Sequence, residues 1–164
     1  MGVHPKTVHW LLDHTEVSLL LDNEAIYGLC QRNLDVPYPS YENLNRLVCK
    51  VISSMTASLR FEGEMNVDLN EFQTNLVPFP RLHFMLTAMA PILTQAKIDA
   101  SNNNVQQITD DCVQPVNFLA KFKDFDPVED KYMAISLNYR GEVKAKEANA
   151  TVQWLKTNNK GLNP

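Results

Sequence analysis

The chain has 164 residues, a formal net charge of −4 and 45% hydrophobic residues, a length that fits one domain or one small domain plus part of another. Its Lys and Arg residues are dispersed without a run, which argues against a phosphate-tracking stripe and so against a nucleic-acid partner. No segment reaches the ~18 consecutive apolar residues that span a bilayer, and the start carries Asp13 and Glu16 without the apolar core of a signal peptide, so a cytosolic chain with no membrane partner is expected.

Along the chain, residues 1–12 show no clear periodicity. Residues 16–21 read as a short buried strand, and 23–34 as a helix with Asp22 or Asn23 as its cap and Glu24 in the first turn, weakened by Gly28. Pro37 and Pro39 make 35–40 a connector. The strongest helical pattern covers 41–58, where Leu44, Leu47, Val48, Val51, Ile52 and Met55 recur at helical spacing behind Ser40 as a cap. A short helix is expected over 68–76, with Leu69, Phe72 and Leu76 on one face and Pro78 and Pro80 ending it. Residues 82–90 read as a strand, 94–104 as a polar loop, and 105–112 as a helix capped by Asn104. An irregular charged and aromatic loop covers 118–130. Residues 132–139 alternate like a strand, and 144–157 form a last helix. Mixed helices and strands of this kind predict an α/β or α+β architecture with a central sheet.

The residues that could carry chemistry are few. The five glycines are scattered, so no Gly-rich loop is present to let backbone N–H groups approach a phosphate. His4, His9, His14 and His83 lack metal-ligand spacing, and His83 reads as a satisfied structural histidine. Cys30, Cys49 and Cys112 have no C-x-x-C spacing and read as free, buried thiols. Asp68 and Glu71 lie three apart at a helix start. They fit a capping box, or Glu71 points outward as a general base or water-orienting group; an acid pair of glycosidase type is a third reading, but no sugar cleft is indicated. Asn23, Tyr41 and Asn45 each lie near a helix start. A Tyr ring can stack on a planar base and an Asn amide can read a base edge; capping for Asn23 and plain surface polarity for Asn45 are the alternatives.

Several runs carry a resemblance to a known family. Leu21-Asp-Asn-Glu-Ala-Ile-Tyr27, Tyr41-Glu-Asn-Leu-Asn-Arg-Leu47, Thr56-Ala-Ser-Leu-Arg-Phe61 and Asn66-Val-Asp-Leu-Asn-Glu-Phe-Gln-Thr-Asn-Leu-Val-Pro-Phe-Pro-Arg81 closely resemble alpha-tubulins, and Lys131-Tyr-Met and Tyr139-Arg-Gly141 continue the match. Glu71 separates subtypes, because beta-tubulins carry a lysine there. The resemblance runs over residues 12–156 and implies an α/β fold. The end of a tubulin-type nucleotide-binding domain with its long central helix would occupy 1–62, and a mixed-sheet intermediate domain 63–164, both incomplete.

The same resemblance implies a microtubule constituent of the cytoplasmic cytoskeleton that binds GTP and pairs with beta-tubulin, with microtubule-associated proteins as further partners. Asn23, Tyr41 and Asn45 would contact the guanine. Glu71, with Asp68 nearby, would face the GTP of a neighbouring beta subunit and activate the attacking water. The family's magnesium ligands and glycine-rich phosphate loops match nothing in this chain. The segment 94–104, which matches the family's lateral-contact loop, is divergent and Asn-rich. A non-polymerising interaction module, or a degenerate product without GTP turnover, is therefore the alternative. In the family the apolar stripe of 41–58 is covered by the nucleotide-binding sheet, so a bare stripe and self-association are expected here.

Overall fold

The computed structural model describes residues 5–61, 68–101, 104–122 and 130–158. The first two positions of the 66–81 run, Asn102 and Asn103, and residues 123–129 of the expected irregular loop lie outside them.

The chain opens with a helix, α1 (Pro5–His14), where the sequence shows no clear periodicity. Proline suits the first helical turn because its missing N–H would be unbonded there anyway. The Trp10 and His14 rings, one turn apart, stack with centroids 4.0 Å apart. Thr15 ends the helix, its N–H and hydroxyl both bonding to the Leu11 carbonyl. The strand β1 (Ser18–Leu20) follows within the expected span, but it is not the buried strand expected: Leu19 is exposed and its two neighbours are only half-buried.

Helix α2 (Asn23–Asn33) begins as expected, with Asp22 as the cap accepting from the Glu24 N–H at 3.2 Å. Gly28 serves a packing purpose. A Cβ there would lie 2.6 Å from Arg32 Nη1, so the bare backbone leaves room for Arg32 to cross the helix and donate to the Val116 carbonyl at 2.9 Å. Beyond the helix, Asp35 adopts the left-handed region at φ 55. Its carboxylate pairs with Lys97 Nζ at 2.7 Å, and the same ammonium reaches the Arg32 carbonyl at the helix end.

Helix α3 (Tyr41–Met55) starts after Ser40, whose N–H and hydroxyl both donate to Asn43 Oδ1 at 2.9 and 2.8 Å. It ends three residues before the expected 58. Thr56 bonds back to the Ile52 carbonyl through both its N–H and its hydroxyl, a local alternative that competes with helix continuation. A single turn, α4 (Ala57–Arg60), completes the segment. Leu44, Leu47 and Val51 are buried with Ile26, Leu29 and Cys30 of α2 and with Ile92 and Leu119. The stripe expected to be bare is thus covered within this chain, by α2 and by the 92 and 119 segments. Ile52, expected on the stripe, is instead 53% exposed.

Helix α5 (Leu69–Leu76) follows Asp68. Strand β2 (Phe84–Leu86) pairs in parallel with β1, Ser18 opposite Phe84 and Leu20 opposite Leu86. It is shorter than the expected 82–90, because past Leu86 the ladder gives way to one antiparallel bridge, Ala88 to Phe118. Leu119 then ties the sheet to α2: its N–H donates to Thr87, and its carbonyl accepts from Asp22. His83 is the satisfied structural residue expected, fully buried, with Nε2 3.1 Å from Thr15 Oγ1 and Nδ1 3.1 Å from the Pro80 carbonyl.

The polar segment 94–104 contains a helix, α6 (Gln95–Ala100), correcting the expected loop. It is supported locally by a Gln95 to Asp99 bond at 2.8 Å one turn apart and at longer range by the Lys97 tether to Asp35 and the Arg32 carbonyl. Helix α7 (Val105–Val113) carries the expected Asn104 cap, which accepts from Gln107 N–H at 2.7 Å, and a 3-10 turn (Pro115–Asn117) follows. Residues 132–139, expected as a strand, form no ladder with any described residue. Helix α8 (Ala145–Asn158) packs on α7, burying Thr151 and Leu155. The described architecture is mostly helical around a small two-stranded sheet.

Candidate functional site

The candidate base-binding residues lie on the paired helices α2 and α3. Asn23 and Tyr27 are one turn apart on α2, and Tyr41 and Asn45 one turn apart on α3, so each pair shares a face. The phenols of Tyr27 and Tyr41 interact and join the two faces. Partial burial, followed by this contact with Tyr41 and the nearby Glu24 charge, pushes the Tyr27 phenol above its usual range. Asn23 and Asn45 are exposed, and Tyr41 is 70% exposed. An accessible ring flanked by two amide-bearing positions fits a planar purine in both shape and hydrogen-bonding type. Tyr27 is the member sequence reasoning missed; its position four residues after Asn23 was the available signal.

Asp68 and Glu71 lie on α5. The capping box expected of them does not form. The Asp68 carboxylate makes no cap bond to the helix backbone and instead accepts from Asn70 Nδ2 at 3.2 Å. The Glu71 N–H bonds to the backbone carbonyl of Asp68. The Glu71 side chain is exposed and makes no hydrogen bond or ion pair with another described residue. It presents a solvated carboxylate on the helix face opposite Leu69, Phe72 and Leu76. That apolar face turns into an open, mostly apolar cleft of about 1400 Å³ that also takes in Val51 and Met55 of α3 and Phe84 of β2. None of Asn23, Tyr41, Asn45, Asp68 and Glu71 lines the cleft, so its volume says nothing about their chemistry.

Among the described residues no group of three or more His, Cys, Asp and Glu side chains could hold a metal ion. The thiols are free, as read from the sequence; Cys30 is buried and Cys112 half-buried, but Cys49 is exposed on the outer side of α3, against expectation. No described helix is long and apolar enough to cross a membrane.

The family model described as Tubulin C-terminal domain matches residues 80–162. The Tubulin alpha-3 chain of Zea mays is 54% identical over 151 residues, covering 92% of this chain and 33% of that relative. The Tubulin alpha-1 chain of Emericella nidulans is likewise 54% identical over 151 residues, and the Tubulin alpha chain of Pneumocystis carinii 52% identical. In both cases 92% of this chain and 33% of the relative are covered. The chain thus spans about a third of the length of these relatives.

Proposed function

From the premise that the chain belongs to the tubulin family and matches its alpha chains, we propose that it acts as part of an alpha-type microtubule subunit in the cytoskeleton. In this reading residues 1–62 supply the guanine-contacting end of a nucleotide-binding domain, and 63–164 an intermediate domain whose α5 faces a beta-tubulin partner. Asn23, Tyr41 and Asn45 hold the guanine of GTP. Glu71, with Asp68 beside it, acts on the nucleotide of the neighbouring beta subunit.

The observation that carries the proposal is the freedom of Glu71. A carboxylate used as a helix cap would be tied to backbone N–H groups, but this one is solvated and unbonded to other described residues. It can therefore accept a hydrogen bond from a water held against a partner's γ-phosphate, orienting that water for in-line attack and receiving its proton. When bound, magnesium would neutralise charge on the phosphates; no described cluster of this chain is suited to hold it, and it belongs with the partner's nucleotide. Microtubule-associated proteins would meet the assembled lattice.

A second reading is a module that binds beta-tubulin through the same surface without turnover. Co-assembly of the 164-residue chain with beta-tubulin, followed by phosphate release, separates the two. Glu71→Ala should slow release by roughly 100-fold or more, the usual worth of a positioned acid–base group. Equal release from the wild-type and Glu71→Ala assemblies rules out the catalytic role. Binding to beta-tubulin with no acceleration by either chain leaves the second reading in place.

A further inference from the structure

Ser53 of α3 is the meeting point of two guanidinium groups from distant parts of the chain. Arg60 Nη2 donates to the Ser53 carbonyl at 2.7 Å and to its Oγ at 2.8 Å, while Arg60 Nε reaches Thr56 Oγ1 at 3.3 Å. Arg140 lies 87 positions after Ser53 and brings Nη1 to 3.5 Å from the same Oγ. Both cations also lie against one ring, with the Arg60 and Arg140 guanidinium carbons 5.0 and 6.0 Å from the Phe61 centroid. We propose that Arg60, Arg140 and Phe61 form a binding site for the dianionic phosphate of a small phosphomonoester.

Two like charges that share a hydroxyl and a ring repel one another unless an anion lies between them. The ion pairs among the described residues are Arg46–Glu42 and Lys97–Asp35, so no described carboxylate fills that place. The bonds to Thr56 and Ser53 fix Arg60 in position and use its Nε and Nη2, which leaves Nη1 for a ligand. The single long contact of Arg140 leaves its Nε and Nη2. Its neighbour Gly141, at φ +125, takes a backbone conformation side chains rarely adopt, and so turns the chain immediately beyond the arginine.

The donor set selects the ligand. One guanidinium fork already occupies both oxygens of a carboxylate, whereas the free Nε and Nη2 edge of Arg140 together with Nη1 of Arg60 needs the three terminal oxygens of a phosphate. Two positive charges also match its charge near −2 at neutral pH. Phe61 is 57% exposed and offers an apolar surface to the organic part of the ester.

The test is the thermal midpoint of the 164-residue chain in inorganic phosphate, phenyl phosphate and chloride at matched ionic strength, with phosphorus NMR line broadening on the same samples to give a Kd independent of melting. Both phosphates should raise Tm by about 3 °C at ten times their Kd, with phenyl phosphate binding tighter and chloride without effect. Arg140→Gln, which removes one weak contact and no backbone bond, should weaken phosphate binding about tenfold. An equal phosphate response in wild type and Arg140→Gln, or the same shift from chloride, overturns the proposal. Glu62 and Glu64 follow in the sequence, outside the described residues. A phosphate response that appears only in the E62Q/E64Q chain would mean these carboxylates already serve the arginines, and would overturn it as well.

Discussion

The Tyr139 phenol oxygen lies 2.7 Å from Thr109 Oγ1. Thr109 is 1% exposed on α7 and donates its own proton to the Val105 carbonyl at 2.7 Å, so it accepts the phenol proton. This bond fastens the 131–140 segment to α7. Tyr139→Phe should cost about 1 kcal/mol in urea denaturation, the net worth of a typical intramolecular hydrogen bond. A double-mutant cycle with Thr109→Val should give a coupling of at least 0.5 kcal/mol by the usual scale for bonded neighbours. Simple additivity would mean the two hydroxyls do not share a proton.

Within α3 the buried and exposed apolar residues should separate cleanly. Leu47 is 4% exposed inside the α2–α3 cluster and Ile52 is 53% exposed. Leu47→Ala should therefore lose about 2–5 kcal/mol through lost transfer energy and a cavity, and Ile52→Ala no more than about 0.5 kcal/mol. Similar losses at the two positions would show that α3 buries a different face.

The two helix-start aspartates should differ for the same kind of reason. Asp22 accepts a backbone N–H of α2 and Asp68 accepts none from α5. Asp22→Ala should cost about 1 kcal/mol as a lost cap, and Asp68→Ala and Glu71→Ala within about 0.5 kcal/mol each as surface changes. Circular dichroism during denaturant titration would check this. A neutral Glu71→Ala makes any loss of GTP turnover a chemical effect and not one of folding.

Burial pushes the Cys30 and Cys112 thiols above their ordinary value of 9.0, with the Asp111 charge adding at Cys112 against a bond to the Ala90 backbone. Burial likewise raises the Tyr132 phenol. Groups raised in the folded state are buried neutral, so their contribution is whole below the unfolded pKa and is lost as pH rises through the folded values. Stability should be level up to about pH 8.5 and fall above it, thiols first and phenols later. At pH 7.5 a maleimide should label exposed Cys49 first, Cys112 more slowly and Cys30 only on unfolding. Early labelling of Cys30 would contradict the α2–α3 packing.

The stripe at helical spacing placed α3, and the caps Asp22, Ser40 and Asn104 mark the starts of α2, α3 and α7. Those signals are local, so they survive without knowledge of neighbours. The run from Leu21 to Tyr27 and the run ending at Arg81 likewise carry the family by residue identity alone. Helices α1 and α6 were not legible. One is anchored by a ring stack, and the other is six residues whose bonds include Gln95 to Asp99, Ser101 to the Ile98 carbonyl and the Lys97 tether.

The alternation of 132–139 had the period of a strand but not its fate, since a strand exists only where another segment supplies ladder bonds. The same limit applies to the carboxylates and the arginines. Asp68-Leu69-Asn70-Glu71 has the spacing of a capping box, and only side-chain placement left Glu71 free. Nothing in the spacing of Ser53, Arg60 and Arg140 announces that they meet. Short-range geometry is written in the order of residues, whereas which distant groups share a hydroxyl, a ring or a core is decided when the chain folds back on itself.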